Sequence, residues 1–309
     1  MQLERLKWYS PPLESEGISY MQVPTPIVLE DRIRILYAGR VNNITHIYSL
    51  EVSPPPNFKI INFTKEPIMY PSTSMGTFDD EGVMPSFVLQ NGKKHYLFYS
   101  GWNSRNTIPY HNATGIAEYD INTNRVKRIY DGPIMDRTLL HPYLAVTPCI
   151  WKEKDVYNAL YISGLSWKKH KDKYEPLYVI KFAKSKNLLE WERDTQQFIK
   201  SEYELECFSN PTVKINNEKI DILFCSRNCF DYRDSKKYGY KIGYAELKDS
   251  NVSRKEIQWK GDMLQGKDDI MQCYPSFFQW NGVDYIVYNG NGFGATGFGI
   301  AKVLQGDIK

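Results

Sequence analysis

Asp79-Asp80-Glu81 stand directly before Gly82-Val83-Met84-Pro85 and put three carboxyl groups at the start of an apolar, strand-forming run. Further acids, Glu206 and the pair Asp268-Asp269, again precede a proline by a few residues. Two carboxyl groups whose surroundings push their pKa values apart can act as acid and base in one reaction. Glu206 sits among apolar neighbours in Leu205-Glu206-Cys207-Phe208, where burial is expected to raise it into a proton donor's range. Its expected base or electrostatic partner is Asp79, Asp80 or Glu81. The competing reading has these acids capping backbone amides at a turn. Arg40 and Arg227 carry forked guanidiniums suited to a ligand carboxylate or phosphate, or to pairing with Glu206 or Asp80. His141 is either a base or a histidine bonded to a backbone carbonyl.

The elements that position these residues repeat along the chain. Segments align on Pro26, Pro85, Pro148, Pro211 and Pro275, at spacings of 59, 63, 63 and 64 residues. Each reads as strand, polar turn, aromatic strand. Asn91-Gly92 and Asn281-Gly282 are type I′ hairpin signals, and Leu29-Glu30-Asp31 and Asn216-Asn217-Glu218 occupy the same slot. A proline at the head of a strand is tolerated because that residue need not donate to the ladder.

Third strands are expected at 46–52, 114–119, 177–183, 240–247 and 297–303, with fourth strands at 58–63, 126–130, 198–200 and 257–260. Helix has support only as a short turn over 185–192. About 60 residues per antiparallel unit describes a propeller blade, so the expectation is an all-β, five-bladed β-propeller forming one domain over 1–309. A β-sandwich with the prolines on edge strands is the alternative.

Composition agrees with a packed globular chain: of 309 residues, 42% are hydrophobic and 24% charged. Net charge is only +3, so no field draws in nucleic acid or an anionic membrane, and the Lys168–Lys173 run reads as a solvated loop. The five cysteines, Cys149, Cys207, Cys225, Cys229 and Cys273, lack zinc-site spacing and fit reduced thiols. The N-terminus has no apolar signal-like segment and no stretch reaches membrane-spanning length, so a cytoplasmic, unanchored protein is expected.

In a blade, the start of the first strand and the end of the second share one face. That face should gather Thr25 and Arg40; Trp102 and Asn103 with the Asp79–Glu81 acids; His141, Tyr143 and Trp167; Glu206, Asn210 and Arg227; and Asp269, Gln272 and Tyr274. Long loops over 101–113, 164–176 and 227–239 should rim it, and the Gly-rich run 289–297 should be a flexible loop above it. Carboxylates, amides and aromatic rings together suit sugars, because rings stack on pyranose faces while polar groups bond hydroxyls.

The five prolines and the segment FDDEGVMPSFVLQNGKKHYLFYSGW resemble the five-bladed propeller superfamily of glycoside hydrolases, including families 32, 43, 68 and 130. The resemblance runs from about Ile18 to Val303. Ala183-Lys184-Ser185-Lys186-Asn187-Leu188-Leu189-Glu190-Trp191 is similar to a recurring third-strand signature of the group, and Glu81-Gly82-Val83 resembles the second-blade start of family 130. The resemblance implies a carboxylate base on the first blade, a supporting aspartate on the second and a glutamic acid donor on the third. Thr25-Pro26, Pro85-Ser86 and Ala145-Val146-Thr147 occupy those positions, so the usual triad does not carry over.

The expectation is therefore a divergent carbohydrate-active enzyme, a hydrolase or a glycosyl-transferring or phosphorolytic one, which fits building surface glycans at least as well as degrading polysaccharides. Its partner would be a sugar, glycoside or nucleotide sugar, with no cofactor, metal, nucleic acid or membrane. A non-catalytic sugar-binding propeller and a protein-interaction scaffold are the alternatives.

Overall fold

The computed structural model describes residues 1–12, 14, 17–216 and 218–304. Its strands are β1 (Gln2–Tyr9), β2 (Ser19–Val28), β3 (Ile33–Val41), β4 (Ile44–Val52), β5 (Ile60–Phe63), β6 (Gly82–Asn91), β7 (Lys94–Ser104), β8 (Tyr110–Asp120), β9 (Arg125–Arg128), β10 (Ala145–Glu153), β11 (Val156–His170), β12 (Lys173–Ser185), β13 (Glu192–Arg193), β14 (Glu206–Ile215), β15 (Ile220–Asn228), β16 (Lys241–Lys248), β17 (Asn251–Lys255), β18 (Gln258–Lys260), β19 (Cys273–Trp280), β20 (Val283–Asn289) and β21 (Phe298–Leu304).

The strands form a β-propeller. Units β2–β5, β6–β9, β10–β13 and β14–β17 are antiparallel meanders, the first two joined by one parallel pair, Thr45 with Gly82. The fifth unit runs β19, β20, β21 and then β1, so the first strand of the chain completes the last blade. Each inner strand, β2, β6, β10, β14 and β19, touches the next, and β19 returns to β2. Closure of this ring shields the sheet edges that an open array would expose.

Period-two alternation sends neighbouring side chains of a strand to opposite blade faces. Phe224 thus faces the third unit while Leu223 faces the fifth. One apolar cluster lies at each of the five interfaces: Tyr37 with Val287, Leu36 with Leu97, Phe98 with Tyr161, Leu160 with Phe224, and Leu223 with Tyr288.

Several local expectations change. Residues 198–200 are not a strand; the fourth strand of the third blade is β13, although Phe198 N still donates to Ile180 O. The 257–260 segment is β18, which pairs in parallel with β1, and β17 is the fourth strand of the fourth blade. The expected loop over 164–176 is instead a β11–β12 hairpin continuing to His170 and Lys173. Asn281 and Gly282 both take left-handed φ, as type I′ requires, whereas at the second blade only Gly92 does, because Asn91 pairs with Lys94. Asn217 lies outside the described residues; Asn216 N donates to Lys219 O beside it.

Candidate functional site

The inner strands bulge where they reach the channel mouth. Val23, Thr147, Asn210 and Tyr274 have φ of 52°, 49°, 45° and 53°, and each precedes a proline at a break in register. A left-handed φ is a genuine outlier for β-branched Val and Thr, and such strain, about 1–3 kcal/mol per residue, concentrates at functional sites. Bulges re-aim side chains next to active sites. Pro24, not Pro26, is therefore the first-blade equivalent of Pro148, Pro211 and Pro275.

Above these bulges, tyrosines from four blades converge. Tyr110 opens β8, Trp167 lies on β11, Tyr178 on β12, Tyr232 and Tyr240 lie between β15 and β16, and Tyr274 is the β19 bulge. Tyr110, Trp167, Tyr178, Tyr274 and Phe293 keep partial exposure. Tyr110 packs edge-on to Trp167 at 5.2 Å, and Tyr240 lies 5.9 Å from Tyr274. Burial, and then the neighbouring Tyr178, pushes the Tyr110 hydroxyl up; burial is also the main cause of the rise at Tyr274. These phenols stay protonated donors.

Arg227, 2% exposed, forms the floor of this box, with its guanidinium 3.6 Å from the Tyr232 ring centre. It donates to Tyr240 Oη at 3.1 Å, Tyr178 Oη at 3.2 Å and the carbonyls of Asn228, Cys229 and Pro176. The nearby carboxylate, Glu175, is bonded to Tyr232 Oη and Arg233 instead. Arg227 is thus a fixed scaffold for the ring hydroxyls. It is neither a free fork for a ligand nor the partner of Glu206 or Asp80, the two roles the sequence leaves open.

The acids expected to do chemistry are engaged elsewhere. Glu206, 1% exposed, lies on the same β14 face as Phe208, toward the third blade. Arg254 Nη1 donates to both its oxygens at 3.0 and 2.9 Å, and the Glu202 amide adds a bond at 2.7 Å. Both oxygens are taken by the protein's own donors and neither is free to face a ligand, so the proton-donor role fails on geometry. Asp79 receives Tyr99 Oη at 3.2 Å and Arg128 Nε at 2.9 Å. Asp80 Oδ2 caps the Gly76 amide at 2.7 Å, and Glu81 Oε2 takes the Ser104 amide and hydroxyl at 2.6 and 2.5 Å. The turn-capping alternative describes Asp80 and Glu81.

Asp79 and Glu206 belong to a repeated clasp. In the second, fourth and fifth blades, an acid at or just ahead of the start of the first strand meets an arginine of the fourth: Asp79 with Arg128, Glu206 with Arg254, and Asp268 with Arg5 at 2.7 Å. Below each lies the second-strand aromatic Tyr99, Phe224 or Tyr288, whose ring packs on a third-strand glycine. A Cβ at Gly115, Gly243 or Gly299 would stand 2.3, 2.5 or 2.9 Å from that ring.

The remaining expected contacts are mostly structural. Trp102 Nε1 donates to Thr45 Oγ1 at 2.8 Å, Asn103 Nδ2 to Thr77 O, Asn210 Nδ2 to Pro275 O and Gln272 Nε2 to Asp268 O. Asp269 is held down at about 2 by Asn291 and then Lys236. Tyr143 packs beside Gly164. His141 Nε2 donates to Arg193 O at 3.3 Å, the carbonyl-bonded role. Residues 289–297 are tied down: Asn289 Nδ2 donates to Gly297 O, and Asn291 Oδ1 accepts from the Ile270 and Met271 amides. Arg40 stays part-exposed, 4.7 Å from the Tyr20 ring centre, with Nε unbonded and Nη2 donating to Gln22 Oε1 at 3.2 Å. Among the described residues no acidic or histidine cluster could hold a metal, and no helix is long and apolar enough to cross a membrane. Two surface hollows of about 450 and 370 Å³ lie at the hairpin ends, beside Ser185 and Trp191 and beside Asn216 and Gly282, away from the mouth.

No family model matches the chain. Two uncharacterized Mycobacterium tuberculosis proteins, MT1551 of strain CDC 1551 and Rv1502 of strain H37Rv, are each 28% identical over 295 residues, covering 92% of both chains. Solved structures share the fold. A glycoside hydrolase superposes at TM-score 0.71 with 15% identity, over 99% of this chain and 93% of its own. A glycosyl hydrolase from Bacteroides ovatus gives 0.70 at 12% over 97% and 94%, and a thermostable family-43 glycoside hydrolase 0.64 at 16% over 97% and 94%.

Proposed function

We propose that the channel mouth binds a saccharide, and that any chemistry there does not run through Glu206 and the Asp79–Glu81 acids. The observation that carries this reading is the convergence of Tyr110, Trp167, Tyr178 and Tyr274 as part-exposed rings over the Arg227-anchored hydroxyls. Aromatic faces stack on the apolar side of a sugar while buried hydroxyls bond its polar edge. The shared fold of glycoside hydrolases supports the same ligand class by analogy alone.

Arg40 favours a refinement. Its unbonded Nε and the flanking Tyr20 ring suit an anionic group on the sugar, such as the phosphate of an activated or nucleotide sugar. Such a ligand fits transfer in glycan assembly better than hydrolysis. A glycan array followed by calorimetry tests the binding: Tyr274→Ala should weaken a bound saccharide by about tenfold through lost stacking. Binding that is unchanged in Tyr274→Ala would sink the assignment.

A further inference from the structure

The clasp repeated in the second, fourth and fifth blades is altered in the third. Its aromatic and arginine are present: Tyr161 on β11 lies 5.9 Å from the Arg193 guanidinium on β13. The acids stand six, five and seven residues ahead of Pro85, Pro211 and Pro275, and seven ahead of Pro148 the chain has His141. Lys181, which pairs with Tyr161, occupies the place of Gly115, Gly243 and Gly299. One blade has thus exchanged an acid for a histidine and a glycine for a lysine.

The result is a buried group of cations and hydroxyls without its carboxylate. Lys181 and His141 are 5% and 3% exposed, and Lys181 Nζ donates to His141 Nδ1 at 3.5 Å. Tyr161 Oη, Ser163 Oγ and Arg193 Nη1 are buried without a well-formed hydrogen bond, and Tyr161 interacts only weakly with Ser163 and Arg193 beside it. Arg193 Nη2 donates to Thr138 Oγ1 at 3.1 Å. Asp136, the acid whose charge Arg193 feels, is taken up by His111 Nε2 and the Arg137 amide, both at 2.6 Å. Asp194, near Tyr161, is exposed. Burial is the largest cause that lowers Arg193, Lys181 and His141; repulsion from Arg193 adds to it at Lys181, and repulsion from Arg193 and then Lys181 adds to it at His141, while Tyr161 and Asp136 act the other way on Arg193. Buried charges call for a partner, and buried donors without one cost stability.

We propose that the third blade binds an oxyanion, a carboxylate or phosphoryl group, between Arg193, Lys181 and Tyr161. In the second and fifth blades the protein's own carboxylate makes the equivalent contacts, taking a tyrosine hydroxyl and an arginine Nε. Here the second cation at Lys181 accommodates more negative charge than one carboxylate brings. Part-exposed Arg193 lies beside the exposed Thr138–Leu140 turn, which gives the anion a route from solvent.

Calorimetric titration with sodium phosphate, sodium glucuronate and uncharged glucose tests the site, with the His141 ring resonances locating it. The wild-type protein should bind phosphate or glucuronate saturably with a shift at His141, and whichever binds identifies the group. Arg193→Gln should weaken that binding by about tenfold or more. His141→Asp, which restores the acid of the other blades, should weaken it equally while raising the melting temperature. No saturable binding of either anion, or binding that survives both substitutions, would overturn the proposal.

Discussion

Glu206 illustrates how one residue's role depends on its face of a strand. The sequence places it among apolar neighbours ahead of a proline, which suits a buried proton donor. Alternation along β14 instead turns it toward the third blade, where Arg254 takes both oxygens. Glu206→Gln should therefore cost about 1–3 kcal/mol of stability in urea unfolding, because it removes the buried charged partner of Arg254 and leaves that arginine only the exposed Glu202. An unchanged urea midpoint would return Glu206 to the list of free acids. His141 should titrate below 6.5 by NMR, since burial and then Arg193 and Lys181 disfavour its charge. The folded state then binds that proton more weakly than the unfolded chain, so this contribution is full above pH 6.5 and is lost as pH falls below it. Asp269 works in the same direction: its contribution is present above 3.8 and lost as pH falls toward about 2, so Asp269→Asn should flatten the acid limb of stability against pH.

At the scale of elements, the strand order within each blade was legible because proline, hairpin turn and aromatic strand recur at near-constant spacing. Fourth strands were legible in the first two blades, as β5 and β9, but not in the third and fourth; β13 has two residues, and its partner contacts, not its composition, define it. The mouth was half legible. Trp167 and Tyr274 are named by the second-strand and first-strand pattern, whereas Tyr110 opens β8, Tyr240 stands just before β16 and Tyr178 lies within β12, positions that the proline register does not reach. An aromatic residue in each third-strand region was the available signal. The clasps depended on tertiary packing and left one trace, the glycines opposite the second-strand rings. Gly115→Ala would drive a Cβ to 2.3 Å from Tyr99 Cζ, and overpacking of this kind should cost about 1–3 kcal/mol. Equal stability of Gly115→Ala and wild type would contradict the clasp's packing.

Across the whole molecule, the ring of inner strands and the β1–β21 pairing tie the start of the chain to its last blade. Deleting residues 1–10 removes Leu3 from the interface of the fourth and fifth blades and Arg5 from Asp268, and exposes the edge of β21. Size-exclusion chromatography of that truncation should show association or unfolding. A stable monomer would mean that closure does not depend on β1. The closed ring also fixes the mouth, since the bulges at Val23, Thr147, Asn210 and Tyr274 face one another only when it is complete. The most direct test is a crystal structure of the protein with a saccharide drawn from a glycan array. The sugar should lie on Tyr110, Trp167, Tyr178 and Tyr274 at the channel mouth, with Glu206 still bonded to Arg254. A sugar bound instead between Glu206 and the Asp79–Glu81 acids, with the Arg254 and Arg128 pairs broken, would contradict it.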